Sequence, residues 1–151
     1  MPNLFKKSFG DADEVKSPEK TRAEVVKLGN VNVTRLELQP GWKWSECIKP
    51  VVGGHSCQAG HVGVILQGKM MCVHDDGTEV LAEAGEAYYF APGHDGWVVG
   101  DEPLVGYASI DCLRSGRPSL NSNRGASASR PGSSTISYRW LSSWRRRFRI
   151  R

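Results

Sequence analysis

The chain has 151 residues, of which 20 are Lys or Arg, 16 are Asp or Glu and four are Cys. No run of residues approaches the ~20 apolar residues of a membrane-spanning helix, and residues 1–21 lack the apolar stretch of a signal peptide. The cysteines show neither CxxC spacing nor a dense framework, which excludes a disulfide-built scaffold. We therefore expect a cytoplasmic protein with reduced thiols and no membrane span.

Charge is divided unevenly along the chain. Residues 1–113 contain 10 Lys and Arg against all 16 Asp and Glu, a net charge of −6, whereas residues 114–151 contain ten Arg and no acid, a net charge of +10. The second part is rich in Ser, Gly, Pro and Arg and cannot bury enough apolar surface to fold alone. The sequence predicts a flexible N-terminal arm over residues 1–22, one folded domain over 23–113 and a disordered tail over 114–151.

The end of this tail places aromatic residues between arginines, among them Trp140, Trp144 and Phe148. Positive charge beside planar side chains suits non-specific binding to anionic surfaces. No recognisable nucleic-acid-binding fold accompanies the tail, so we expect no specific nucleic-acid partner. The alternative interpretation is a frameshifted or readthrough C-terminus from GC-rich DNA, which the absence of Lys and acids favours.

Alternating apolar and polar residues predict the first strand, residues 31–38. The alternation changes phase between residues 31–33 and 36–38, and such a change is typical of a β-bulge. Pro40 and Gly41 end the strand, because neither residue continues a ladder well.

Two apolar runs, residues 61–66 and 70–73, lie close enough together to predict a hairpin. Asp76 and Gly77 suit the positive φ angles of the next tight turn. No convincing amphipathic helix interrupts the series, and strands that recur at this spacing indicate a sandwich or a barrel. The remaining predicted strands are residues 79–82, 88–90, 97–99 and 104–110.

Three potential metal ligands occupy odd positions of one segment: His55, Cys57 and His61. If residues 55–61 form one strand, the three side chains face the same side, because successive residues alternate between faces. His94 joins them from another strand. A thiolate beside imidazoles suits a divalent transition metal, for which we consider Zn, Fe, Ni or Mn. The alternative is structural: a buried thiol, histidines hydrogen-bonded in the core or in a turn, and an exposed histidine at position 55.

Aromatic residues near the same segments predict a ligand pocket. Trp42 and Trp44 share parity, and Trp97 follows the second histidine-containing segment, so the three rings could line a barrel mouth together with Glu46. Glu46 and Asp95 are the acids closest to these segments and are the candidates for a general base. The alternative is that the tryptophans fill the core.

The two segments resemble the paired motifs of the cupin superfamily. The first motif has Gly, five residues, His-x-His, three or four residues, Glu, six residues and Gly; His55 and Cys57 fall at its two His and His61 at its Glu. In the second motif, Gly85 and Gly93 match, and His94 lies two residues before the motif's His. The resemblance covers about residues 30–112 and is closest to short single-domain cupins with GWxWSE and PPGHDxWVVGDEP, a subgroup to which the motifs assign no activity.

This resemblance implies an all-β fold, a single jelly-roll barrel with disordered ends. It also implies a divalent metal at His55, Cys57, His61 and His94 that coordinates a small carboxylate or oxygenated ligand, and a dioxygenase, isomerase or decarboxylase if the protein is an enzyme. The missing Glu and the displaced His favour the alternative, a catalytically silent barrel that binds a small ligand or self-associates without metal. Cupins commonly pair through outer strands, so we expect a homodimer.

Overall fold

The structure is a computed structural model and describes residues 3–110, which belong to one compact unit. The tail predicted over 114–151 lies outside the described residues. Nine strands and two short helices follow a 3-10 turn at Phe9–Asp11. In chain order they are β1 (Glu14–Lys16), β2 (Thr21–Leu28), β3 (Val31–Leu38), α1 (Trp44–Cys47), α2 (Lys49–Val52), β4 (His61–Gln67), β5 (Lys69–His74), β6 (Glu79–Glu83), β7 (Ala87–Phe90), β8 (His94–Val98) and β9 (Leu104–Ile110).

The strands form two antiparallel sheets. The larger sheet has the order β1-β2-β3-β9-β4-β7, and the smaller has the order β6-β5-β8. The crossover that places β9 between β3 and β4 brings the two ends of the described chain into one sheet, as a jelly-roll requires. The all-β fold predicted from the spacing of the strands is confirmed.

The segment predicted as a flexible arm, residues 1–22, contributes to the larger sheet. Strand β1 pairs with β2, and β2 begins at Thr21. The Asp13 carboxylate accepts a hydrogen bond from the Lys27 backbone N–H at 2.8 Å and contacts the Lys7 ammonium group. The Phe9 ring lies 5.1 Å from the ring of Tyr107 on β9. These contacts depend on the neighbouring strands, so the local sequence of the arm did not reveal them.

The bulge predicted in residues 31–38 is wrong. Strand β3 pairs with β2 in continuous register along its whole length, and the irregularity lies instead in β4, between Ile65 and Gln67. The change of phase arises because β3 has apolar neighbours on both faces. Val26, which is paired with Val33 of β3, is only 1% exposed. It lies on the opposite face of the sheet from Thr34, which is also buried, so both faces are covered.

The hydrophobic core lies between the sheets, and the register explains its composition. Leu38 is opposite Leu104, and Met70 is opposite Val98; all four side chains are buried. Ile65 on β4 is fully buried in the same cluster. The described residues therefore enclose one apolar interior.

Gly63 gives an aromatic side chain room inside the barrel. A Cβ atom at this position would lie 2.6 Å from both the Tyr88 side chain and the Tyr107 carbonyl oxygen, closer than real Cβ contacts. The absent side chain lets Tyr88 pack against β4, where its ring stacks on that of Phe90 with centroids 4.3 Å apart. Phe90 in turn lies beside His94, with ring centroids 5.7 Å apart.

Helices α1 and α2 were not predicted, because four residues are too few to show a helical period. Helix α1 begins where the Ser45 backbone N–H donates to the Asp95 carboxylate at 3.1 Å. No helix within residues 3–110 is long and apolar enough to cross a membrane.

Candidate metal centre

Three of the four predicted metal ligands come together at one end of the barrel interior. The ligand atoms of Cys57, His61 and His94 all lie within 4.8 Å of one another. Cys57 Sγ is 3.5 Å from His61 Nε2, and the two imidazole rings meet edge to face with centroids 5.1 Å apart. Cys57 and His94 are each 6% exposed, and His61 is half-buried. The cluster combines two donor chemistries in a largely desolvated position.

Strand register directs both histidines inward. His61 is the first residue of β4 and is paired with Phe90, which is buried in the core. His94 is the first residue of β8, where its neighbours two and four residues on, Gly96 and Val98, are also buried. Both histidines therefore lie at the first positions of their strands, with side chains on the interior side.

Cys57 is attached to the second segment through the main chain. Its backbone N–H donates to the His94 carbonyl oxygen at 2.7 Å, and its carbonyl oxygen accepts from the Gly93 N–H at 2.7 Å. This isolated antiparallel bridge holds the loop before β4 against the beginning of β8. The main chain thus holds two candidate ligands from distant parts of the sequence beside each other.

The orientation of His94 suits metal binding. Its Nδ1 lies 2.5 Å from the Ala91 carbonyl oxygen. A carbonyl oxygen only accepts hydrogen bonds, so Nδ1 carries a proton, and in the neutral ring Nε2 is then the nitrogen with the lone pair. Histidine ligands of metals commonly use a hydrogen bond of this kind to fix the ring and its tautomer.

His55 does not join the cluster. The single strand predicted over residues 55–61 does not form, because β4 begins only at His61. Gly53 and Gly54 have φ angles of 76° and 89°, which turn the chain after α2 and leave His55 exposed. The alternation rule assumed continuous strand geometry, which holds in β4 but not in the preceding loop.

Side chains that the sequence did not single out support the cluster. Ser56, which is 5% exposed, donates a hydrogen bond of 2.6 Å to the Asp75 carboxylate, while the Asp75 N–H donates to the Gly93 carbonyl oxygen. The turn after β5 thereby contacts both ligand-bearing segments. The residues Asp75-Asp76-Gly77 predict this turn from the sequence, but they do not indicate that Ser56 binds to it.

His74, the last residue of β5, is half-buried beside the same turn. Its Nε2 donates to the Pro92 carbonyl oxygen at 2.9 Å, and its Nδ1 lies 3.0 Å from the Asp76 carboxylate. The hydrogen bond to Pro92 and the neighbouring Asp76 raise the pKa of His74. This histidine connects two turns and is not one of the clustered ligands.

Two buried groups beside the cluster stay neutral near pH 7. Burial raises the pKa of the Cys72 thiol to about 12, and the neighbouring Cys57 and Asp95 act in the same direction. Burial, with a further contribution from Cys72, raises the pKa of Tyr88 to about 12. The wall of the barrel interior next to the cluster is therefore uncharged.

The four residues predicted to line a ligand pocket lie in different surroundings. Trp42 and Trp44 are buried in the core, where Trp42 Nε1 donates to Thr21 Oγ1 at 2.8 Å. Trp97 has the opposite parity to His94 on β8, and the Lys43 ammonium group lies 5.8 Å from its ring centroid.

The side chain of Glu46 is 68% exposed, and its carboxylate lies 3.9 Å from the Lys43 ammonium group. The second acid considered as a base, Asp95, accepts backbone hydrogen bonds from Ser45 and Gly96 with a single oxygen. Alternation along β8 turns Asp95 away from the interior that His94 faces. The structure brings neither acid to the cluster.

A cavity of about 180 Å³ opens beside His94 between β6 and β7. Its walls are mainly apolar, and none of the four predicted pocket residues lies among them. The cavity was not predicted, because its lining combines residues of β6 and β7, which belong to different sheets.

No protein-family model and no curated protein matches the sequence. A Rhizobium leguminosarum bv. viciae protein of unknown function has a similar structure, with a TM-score of 0.51, 20% identity and coverage of 72% of this chain and 97% of that one. The cupin domain of Cnp3 from Schizosaccharomyces pombe matches with a TM-score of 0.50 and 15% identity over 70% of this chain and 72% of that one.

A double-stranded β-helix protein from Klebsiella pneumoniae aligns with 14% identity and a TM-score of 0.48, over 77% of this chain and 95% of that one. The sheet order described above and the similarity to the Cnp3 domain agree on the architecture. The fold of this protein is that of the cupin superfamily.

Proposed function

We propose that this protein binds one divalent transition metal through Cys57, His61 and His94, and a small oxygen-containing ligand beside it. The observation that carries the proposal is the convergence of one thiol and two imidazoles within 4.8 Å. The three residues come from a loop and two strands, so their proximity is a product of the fold and not of local sequence.

The distances within the cluster fit a metal. Typical zinc bonds of about 2.3 Å to sulfur and about 2.1 Å to nitrogen give a sulfur-to-nitrogen separation of about 3.6 Å in tetrahedral geometry. The Sγ–Nε2 distance between Cys57 and His61 is 3.5 Å. A thiolate with imidazoles favours Zn, Fe or Ni over Mn, which prefers oxygen ligands.

Three protein ligands leave one position of a tetrahedral site available to a ligand or water, whose oxygen a bound metal polarises. The chain's own contribution is positional. The hydrogen bond from Nδ1 to the Ala91 carbonyl oxygen orients the His94 ring and selects the neutral tautomer whose Nε2 can bind a metal, and the main-chain bridge between Cys57 and His94 fixes two donors. A dioxygenase, isomerase or decarboxylase activity stays a prediction from the resemblance.

The alternative is a metal-free, catalytically silent barrel. Two observations favour it: Tyr88 fills the interior next to Gly63, and Asp95 is engaged by two backbone N–H groups. In this case the contact between Cys57 and His61 is an ordinary core interaction. The predicted homodimer stays a prediction under both proposals.

Metal analysis of the full chain, purified without a His tag or chelator, tests the proposal. We expect about one transition metal per chain, retained by His55→Ala and lost by Cys57→Ala and His94→Ala. His55→Ala is the matched control, because it removes a nearby imidazole that lies outside the cluster. Far-ultraviolet circular dichroism identifies any variant that fails to fold. A folded wild-type chain that neither contains metal nor takes up Zn²⁺ or Co²⁺ contradicts the proposal and favours the silent barrel.

A further inference from the structure

We propose that the free edge of β7 binds an extended peptide segment of a partner protein, which places one bulky apolar side chain in the cavity between β6 and β7 and carries basic residues on either side of it. Strand β7 is the last strand of the larger sheet, and β6 is the last strand of the smaller one. The cavity lies between these two edges. The inference goes beyond the proposed metal centre and does not depend on it.

The main chain of β7 has hydrogen-bonding groups that no described residue uses. Antiparallel pairing directs the N–H and C=O groups of alternate residues toward the neighbouring strand. The Ile65 N–H donates to the Glu86 carbonyl oxygen at 3.0 Å, and from this pair the register directs the main-chain groups of Ala87 and Tyr89 away from β4. A further antiparallel strand can pair with these groups, which is a common way of binding an extended peptide.

The cavity accepts one side chain of such a strand. Phe90 is directed to the interior side of β7, so a partner residue opposite Phe90 is directed to the same side. Phe90 and Val80 line the cavity, which has about 180 Å³. A cavity of about 150 Å³ lined by apolar side chains holds benzene, so this volume fits a phenylalanine or leucine side chain. Main-chain pairing would supply affinity, and the cavity would select the anchoring residue.

Charge at the rim favours basic residues beside the anchor. Asp76 lines the cavity, and the hydrogen bond from the Thr78 N–H lowers the pKa of Asp76 to about 2, so the carboxylate is charged near pH 7. Glu79 is exposed at the beginning of β6. Among the described residues no Lys or Arg lines the cavity, and the imidazole of His74 already contacts Asp76. Lysine or arginine in the partner therefore meets attraction, whereas an acidic partner meets repulsion.

A second copy of this chain does not meet both requirements. The side chains that its own β7 directs to the interior are Tyr88 and Phe90, whose rings stack with centroids 4.3 Å apart. Tyr88 occupies the space that Gly63 leaves, and Phe90 is only 7% exposed. Two copies can pair through the main chains of β7, but neither has a side chain for the cavity of the other. A separate extended segment satisfies the edge and the cavity together.

Isothermal titration calorimetry of the full chain with a synthetic peptide tests the inference. The probe is a heptapeptide with blocked ends that has lysine at both ends, phenylalanine at the third position and threonine elsewhere. Replacement of the phenylalanine by alanine should weaken binding at least about ten-fold, because the ring no longer buries apolar surface. Replacement of both lysines by glutamate should also weaken binding about ten-fold, through repulsion at the rim.

Methylation of peptide nitrogens tests the pairing with β7. With the phenylalanine opposite Phe90, antiparallel register places the fourth and sixth peptide residues opposite Tyr89 and Ala87. N-methylation of these two residues removes the N–H groups directed toward β7, and we expect binding to weaken at least about ten-fold. N-methylation of the third and fifth residues is the matched control and should have little effect, since their N–H groups are directed away from β7.

The matched protein variants are Val80→Arg and Leu81→Arg, at neighbouring positions of β6 that are 44% and 43% exposed and face opposite sides of the sheet. Val80→Arg brings bulk and positive charge to the cavity wall and should weaken binding of the lysine peptide at least about ten-fold. Leu81→Arg adds the same charge on the other face and should leave the affinity unchanged. Far-ultraviolet circular dichroism confirms that each variant is folded.

Three results overturn the inference: no binding of the probe by the wild-type chain, equal affinities for the phenylalanine and alanine peptides, or equal effects of the two variants. Sedimentation velocity covers the other occupant of the edge. A dimer of this chain that excludes the peptide assigns the edge of β7 to a second copy and likewise overturns the inference. The proposed metal centre is tested separately by metal content, so its failure is distinguishable from a failure of peptide binding.

Discussion

The Cys/His cluster and the aromatic segment around Trp44 were both predicted from alternation along a strand, yet only the first assembles. Three of the four predicted metal ligands converge within 4.8 Å. The predicted aromatic pocket separates into two buried core residues, one outward-facing ring and one exposed acid. The first region depends on the ends of β4 and β8 and on the bridge between Cys57 and His94, whereas the second contains helix α1, where strand alternation does not apply.

The two regions therefore have different roles in the barrel. The tryptophans exclude water and stabilise the fold, while the cluster holds polar atoms where the interior opens. The two regions should therefore respond differently to substitution. Stability should follow the aromatic segment, and metal affinity should follow the Cys/His cluster.

The largest expected change in stability is that of Trp44→Ala. Trp44 is 7% exposed, and truncation of a buried aromatic residue lowers the free energy of unfolding by about 3–5 kcal/mol. Urea denaturation of the metal-free protein measures this change, and Trp97→Ala is the control, because Trp97 is half-buried and faces outward. Equal losses in the two variants would remove the distinction between the core and the outer aromatic residues.

Cys57→Ser should lower metal affinity and leave the stability of the metal-free protein nearly unchanged. The substitution keeps the size of the side chain but replaces the soft sulfur donor, so we expect Zn²⁺ affinity to fall by about 100-fold or more. The metal-free stability should change by less than about 1.5 kcal/mol. Competition with a chelator measures the affinity, and Cys47→Ser, at another buried thiol outside the cluster, is the matched control. An affinity loss shared by both variants would point to a general effect of thiol removal.

Ser56→Ala should weaken metal binding by about ten-fold, because it removes the 2.6 Å hydrogen bond to Asp75 that supports the loop carrying Cys57. Ser56→Thr retains the hydroxyl and should restore much of the affinity. Chelator competition again gives the affinity, and denaturation of the metal-free chain separates it from stability. If Ser56→Ala lowers stability alone, Ser56 has only a structural role.

The smallest expected change concerns Asp95, which lies beside His94 in sequence and contacts the aromatic segment in space. Asp95→Ala removes the hydrogen bond to the Ser45 N–H at the beginning of α1, and we expect a loss of about 1 kcal/mol. Asp95→Asn retains an accepting oxygen and should lose less. Metal content should be normal in both variants, whereas metal loss in Asp95→Asn would show that the carboxylate charge supports the cluster.

The strand series and the cupin fold could be predicted because alternation and turn residues are local signals. Residues 61–66, 70–73 and 79–82 each fall within the bounds of an observed strand. Strand β1 and the packing of Phe9 on Tyr107 could not be predicted, since both depend on partners distant in sequence. The phase change in residues 31–38 led to the wrong prediction of a bulge, because that prediction assumes that only one face of the strand is covered.

The candidate site was predictable in its residue types and only partly in its geometry. His61 faces inward as its parity predicts, while His55 is turned away by two glycines with positive φ. His94 reaches the cluster although it lies two residues before the position of the motif's histidine. The residue spacing of the second motif does not predict that His94 reaches the cluster, because the bridge between Cys57 and His94 is a long-range contact.

X-ray absorption at the zinc edge of the full chain, reconstituted with one equivalent of Zn²⁺, tests the central claim most directly. The proposed centre predicts one sulfur at about 2.3 Å and two imidazole nitrogens at about 2.0–2.1 Å, with the sulfur shell absent in Cys57→Ser. A wild-type spectrum with only nitrogen and oxygen neighbours, or one whose sulfur shell persists in Cys57→Ser, would contradict it.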